Sequence, residues 1–130
     1  MPFGAIMVNR KISTRFFSKQ QETSVAKATQ GKTTPNSGAR PYAKGDVSTS
    51  RLSYDENGEL QEKEDFLFEC KTSMTPKQSF AIKKQWLETL KEEAFQAGKM
   101  NYALVFSFGP KQENYYILSE AKFKQLFESD

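Results

Sequence analysis

Phe66-Leu67-Phe68-Glu69-Cys70-Lys71-Thr72 is the stretch on which the fold turns. In a β-strand successive side chains point to opposite faces, so Phe66, Phe68 and Cys70 share one face and Leu67, Glu69 and Lys71 the other. Apolar residues on both faces mark a central strand, with the phenylalanines packed under a helix. Cys70 reads as a small buried hydrophobe. Glu69 and Lys71 interrupt the apolar pattern on one face. A carboxylate can ligate a hard divalent cation through oxygen, and a lysine beside it can orient a water or offset charge on a phosphate.

A second acid lies upstream, in Lys44-Gly45-Asp46-Val47, ahead of a strand expected over Val47 to Tyr54. Between the two acids runs Tyr54-Asp55-Glu56-Asn57-Gly58-Glu59-Leu60, whose Asn-Gly pair is the strongest short hairpin signal. A two-residue loop at Asn57-Gly58 makes opposed residues have numbers summing to 115, as do Asp46 and Glu69. Opposed carboxylates lie about 4.5–5.5 Å apart at Cβ, close enough to share a cation. A bulge in arms this long would shift that register. Gln61 to Asp65 is too charged for buried strand and reads as the exposed end of the hairpin.

Outside this pair, residues 1–12 read as an irregular arm. A helix is expected from Thr14 to Ala28, with Phe17, Gln21, Ser24, Val25 and Ala28 along one stripe. Gln30 to Tyr42 reads as loop with at most one short strand. Thr75-Pro76-Lys77-Gln78 resembles a capping box with proline at the first helical position. The helix after it runs to about Ala97 and stops at Gly98. Its stripe is Ile82, Trp86, Leu90, Ala94 and Ala97, flanked by Leu87 and Phe95, so Trp86 reads as core. Strands follow at Tyr102–Phe108 and Tyr115–Leu118, joined by a turn at Gly109-Pro110. A last helix spans Glu120–Glu128 with Phe123, Leu126 and Phe127 inward. The order predicts one α/β (α+β) domain over residues 1–130, a mixed β-sheet flanked by helices.

Composition narrows the chemistry. There is no histidine among the 130 residues, which excludes Ser-His-Asp and Cys-His catalysis. Cys70 is the one cysteine, so no internal disulfide or cysteine-built zinc site forms, which fits a reducing, cytoplasmic compartment. No apolar run approaches the roughly 20 residues of a membrane span, and the first seven residues are too short for a secretory core. Residues 1–51 carry nine basic and two acidic side chains, a net +7, against −4 for the remainder. That basic half suits the phosphate backbone of a nucleic acid, with Lys11, Arg15, Lys19, Arg40 and Lys44 as candidate contacts.

Together, Glu22 in the first helix, Asn36-Ser37-Gly38, Lys44-Gly45-Asp46 and Glu69-Cys70-Lys71 resemble the PD-(D/E)xK nuclease superfamily. Within it they are most similar to the Holliday junction resolvase-like proteins of archaea and phages. The resemblance covers roughly Gln20 to Phe108. It implies a restriction-endonuclease-like fold and Mg²⁺-dependent hydrolysis of DNA, with Mn²⁺ able to substitute. In that family Asp46 and Glu69 would ligate the metal together with the Cys70 carbonyl, and Glu22 would complete the site directly or through water. Lys71 would position the attacking water. Ser37 would lie near the scissile region, and Gln78 is a weaker candidate. Branched DNA and a homodimer are the implied partners, in a host cytoplasm if the chain is phage-encoded. The alternatives are a non-catalytic nucleic-acid-binding accessory of the same fold, and a nuclease of that fold acting on single-stranded or linear DNA.

Overall fold

In the computed structural model, residues 14–34 and 45–128 are described. Helix α1 (Thr14–Thr29) leads into strands β1 (Lys32–Thr33) and β2 (Val47–Ser48). Strands β3 (Leu52–Tyr54), β4 (Leu60–Glu62) and β5 (Phe66–Lys71) follow, then helix α2 (Lys84–Gln96). Strands β6 (Asn101–Ser107) and β7 (Asn114–Ile117) and helix α3 (Glu120–Glu128) complete the order. Five strands form a mixed sheet in the order β1-β2-β5-β6-β7, and β3 and β4 form a separate ribbon. Among the described residues only β5 and β6 pair in parallel, as the α2 crossover between them requires.

Phe66 to Lys71 is the middle strand of the sheet, as its two-sided apolar pattern predicts. On one face Phe68 packs with Val25 of α1, Val47, Ala103 and Val105. On the other, Leu67 packs with Leu90 and Ala94 of α2 and with Leu104. Helices therefore cover both faces of β5 and β6, and this is the mixed α+β architecture the element order suggests.

Several local expectations are corrected. The strand expected over Val47 to Tyr54 is broken into β2 and β3, which belong to different sheets. The turn is a three-residue loop, Glu56-Asn57-Gly58, with Gly58 at φ 81°. Asp55 sets that geometry: its carboxylate accepts the N–H groups of Asn57 and Glu59 at 2.9 and 2.8 Å. In the ribbon, opposed numbers therefore sum to 114, as in Tyr54↔Leu60. At the junction one residue separates the bonded positions Thr49 and Arg51, while two separate their partners Lys63 and Phe66. That extra residue restores the sum of 115 in the main sheet, where Val47 opposes Phe68.

The Thr75-Pro76 box does not start a helix. α2 begins at Lys84 with Lys83 as an N-cap lacking a side-chain cap bond. The segment before it is held against the sheet instead. Lys77 N–H donates to the Phe108 carbonyl at 2.7 Å, and the Phe80 ring stacks on Phe106 at 5.5 Å. The far end of α2 follows the expected pattern, with Gly98 at φ 73°, but Ala97 and Phe95 are exposed. On α1, Gln21 and Val25 are buried while Ser24 and Ala28 are exposed. On α3 the expected inward residues Phe123, Leu126 and Phe127 are 56, 50 and 79 % exposed, and Lys122 is buried in their place. Lys122 pairs with Glu64 and lies 5.5 Å from the Phe66 ring, which lets a charged side chain occupy that position.

Candidate active site

The site is built where β2 meets the C-terminal half of β5. Gly45 sits at φ 73°, a conformation L side chains rarely adopt, and a Cβ on it would lie 2.5 Å from Leu67 Cδ1. Glycine is thus required twice over, by backbone sign and by close approach to the core. This turn delivers Asp46 to the edge of β5. Its N–H donates to the Phe68 carbonyl at 2.9 Å, and its Oδ2 accepts the Cys70 N–H at 2.8 Å. Asp46 therefore straddles Glu69, with its backbone on the preceding residue and its carboxylate on the following one. It is 8 % exposed.

Glu69 and Lys71 project from the face that α2 covers. Lys71 Nζ lies 3.6 Å from Glu69 Oε2, and both side chains are largely buried. Burial, then the Asp46 charge, pushes the Glu69 carboxyl up from 4.5 to about 7, with Lys71 opposing. Glu22, on α1, is pushed up to about 7 by burial and then by Asp46, while Arg15 and Lys19 on the same helix act against this. The Cys70 thiol is raised well above its ordinary range, first by burial and then by Asp46, Glu22 and Glu69 in turn. The Cys70 thiol thus feels the charge of three carboxylates and is a neutral group rather than a nucleophile.

The Asp46 charge raises the proton affinity of both Glu22 and Glu69, so positive charge at this place would be favoured. The donors there are all oxygens, which fits a hard cation such as Mg²⁺. Among the described residues no three side chains of His, Cys, Asp or Glu form a complete ligand group. Two carboxylates supplemented by main-chain and water oxygens is an ordinary arrangement for Mg²⁺.

Two residues read from the sequence as helix-stripe positions touch the site. Gln21, almost fully buried, donates from Nε2 to the Lys71 carbonyl at 2.8 Å and ties α1 to the end of β5. Trp86 of α2 places its ring under Lys71, whose Nζ is 4.5 Å from the ring centroid. Both contacts are tertiary, and a helical stripe read from the sequence does not show them. Trp86 also lines a cavity of about 260 Å³ with Glu69, Lys71, Gln85, Thr89 and Glu93.

Arg15 and Lys19 are exposed on α1, on the same helix as Glu22. Lys11, Ser37, Arg40 and Lys44 lie outside the described residues. Gln78 is exposed in the segment before α2 and does not start that helix. Comparison with protein-family models, curated proteins and solved structures gives no match.

Proposed function

We propose that this chain is a Mg²⁺-dependent deoxyribonuclease that cuts branched DNA. The observation that carries the proposal is Asp46 straddling Glu69 at the edge of the central strand, with Lys71 on the same face and Glu22 coupled to Asp46. Asp46 and Glu69 would hold the cation, together with the Cys70 carbonyl and Glu22 directly or through water. Bound there, the ion would lower the pKa of a water and draw charge from a phosphate oxygen. The Lys71 ammonium lies between Glu69, at 3.6 Å, and the Trp86 ring, at 4.5 Å from its centroid. It can donate hydrogen bonds to an incoming water and to a phosphate oxygen as negative charge develops there. Gln21 fixes the Lys71 backbone from the other side, so the side chain starts from a braced strand end. Exposed Arg15 and Lys19 on α1 supply positive charge for the phosphate backbone.

Calorimetric titration with Mn²⁺ tests the first part. The wild type is expected to bind, and the double variant Asp46→Asn, Glu69→Gln to lose that binding. Equal affinity in both defeats the metal site. Cleavage of linear, flap, fork and four-way DNA in Mg²⁺ tests the rest, with the four-way substrate expected to be cut fastest. Equal cleavage of linear duplex leaves a nuclease without branch preference. DNA binding without any cleavage makes the chain an accessory protein of the same fold.

A further inference from the structure

The Lys71 ammonium has two neighbours that compete for it. One is the Glu69 carboxylate at 3.6 Å, which is looser than the roughly 2.7–2.9 Å of a charge-assisted hydrogen bond. The other is the Trp86 ring, with Nζ at 4.5 Å from the centroid and within the range of a cation–π contact. Lys83 Nζ lies farther from the same ring, at 5.7 Å. Trp86 packs against the cluster of Leu67, Leu90, Ala94 and Leu104, so the ring is anchored by the core. Without the ring, one of the two contacts that place the ammonium is lost and the Glu69 carboxylate remains to draw it in. Closure of Lys71 onto Glu69 would occupy the carboxylate needed for a cation.

We infer that Trp86 is a positioning residue: its ring face holds the Lys71 ammonium off Glu69 and leaves that carboxylate available to a divalent cation. The inference rests on the proposed metal site but does not require DNA cleavage. It gives one aromatic residue of the core a role in setting how tightly the carboxylate pair binds metal. A leucine at position 86 keeps an apolar side chain but no π-face. A phenylalanine keeps the face with a weaker quadrupole.

The test is Mn²⁺ titration calorimetry on the full chain as a double-mutant cycle. Trp86→Leu is expected to weaken Mn²⁺ binding about tenfold, and Trp86→Phe to recover most of that loss. In a Lys71→Met background, where no ammonium can close onto Glu69, Trp86→Leu is expected to change the affinity less than about twofold. An equal loss in both backgrounds shows that Trp86 acts through packing alone and overturns the inference, as does wild-type affinity in Trp86→Leu. Urea unfolding of each variant identifies any that fails to fold. In that event Trp86→Phe against Trp86→Met repeats the comparison with closer volumes, and equal affinities there overturn it as well. Wild-type protein that binds Mn²⁺ and shows this coupling, yet cuts no DNA, removes the nuclease proposal and leaves the positioning role intact.

Discussion

At the scale of single residues, the site is a contest between like charges and the few groups that offset them. On the proposed function Lys71 acts as charge develops on a phosphate, so Lys71→Ala is expected to slow cleavage by at least about a hundredfold while DNA affinity stays within about threefold. Single-turnover cleavage and fluorescence anisotropy measure the two, and near-wild-type cleavage would make the lysine structural. Gly45 carries a different kind of constraint. Gly45→Ala must adopt a positive φ and displace Leu67, so a loss of at least about 2 kcal/mol in urea unfolding is expected, with weakened Mn²⁺ binding because Asp46 moves with it. The raised carboxyls give a pH dependence of known sign. Folded Glu69 and Glu22 hold their protons up to about 7, against 4.5 for the ordinary group, so between those values the folded state binds more protons than the unfolded. Their contribution to stability is therefore fully present below about 4.5 and is lost as pH rises through 7. Metal-free protein is expected to lose on the order of 1–2 kcal/mol through Glu69 across this window, and Glu69→Gln to flatten the slope in urea titrations. Strand parity in the sequence puts Glu69 and Lys71 on one face of β5, where the structure has them paired. The direct opposition of Asp46 and Glu69 is not a register position: pairing ends at Val47↔Phe68, and the Asp46 N–H bonds to Phe68 as well. A loop one residue longer than expected is offset by one extra residue at the ribbon base, and period-2 reasoning cannot see either. Trp86 and Gln21 meet Lys71 only through the packing of separate helices, for which a single sequence carries no register.

At the scale of elements, local signals decided the interior of each helix and strand better than its ends. β5 and α3 have the bounds their patterns predict, because a two-sided apolar run and a short periodic segment leave little choice. α2 starts later than the Thr75-Pro76 signal predicts, because capping is worth only about 1 kcal/mol and tertiary contacts outweigh it. Lys77 bonds to the Phe108 carbonyl and Phe80 stacks on Phe106, which holds the segment over the β6–β7 end in a non-helical path. Two substitutions separate these views. Thr75→Ala is expected to change stability by less than about 0.5 kcal/mol, since no helix begins there. Lys83→Ser places an N-cap side chain where the helix does begin and is expected to stabilise by about 0.5–1 kcal/mol. Thermal unfolding of both variants checks this, and a large loss for Thr75→Ala would restore the capping box. α3 shows the same limit in another form. Its apolar residues are spaced for burial, yet the buried position goes to Lys122, because Glu64 and the Phe66 ring lie beneath it. A helical stripe states which residues share a side and leaves open which side meets the sheet.

At the scale of the molecule, the proposed function asks a small domain to cut two strands of one substrate. A two-fold dimer supplies a second, symmetry-related site with no additional sequence. Large apolar surface is available for such a contact. Phe123 and Phe127 of α3 stack on each other at 5.8 Å while 56 and 79 % exposed, and Tyr115 and Tyr116 on β7 are 45 and 40 % exposed. Tyr102, Phe106 and Phe108, by contrast, are half-buried, and Phe106 packs among Phe80, Phe108 and Tyr115. The sequence-level view that the C-terminal strands hold a surplus of aromatic surface therefore narrows to β7, and the larger exposed pair lies on the helix after it. Exposed aromatic surface of this kind is costly to leave in water and is what interface cores are made of. The protein is therefore expected to sediment as a dimer at micromolar concentration. The double variant Phe123→Asp, Phe127→Asp is expected to sediment as a monomer with its urea stability changed by less than about 1 kcal/mol, because neither ring fills the core. That monomer should nick one strand of a four-way junction where the wild type makes paired, symmetric cuts. A wild-type monomer with and without DNA defeats the dimer. A variant that remains dimeric moves the contact away from α3, with Tyr116→Asp as the next substitution, and paired cuts by a monomer break the link between two-fold symmetry and junction resolution.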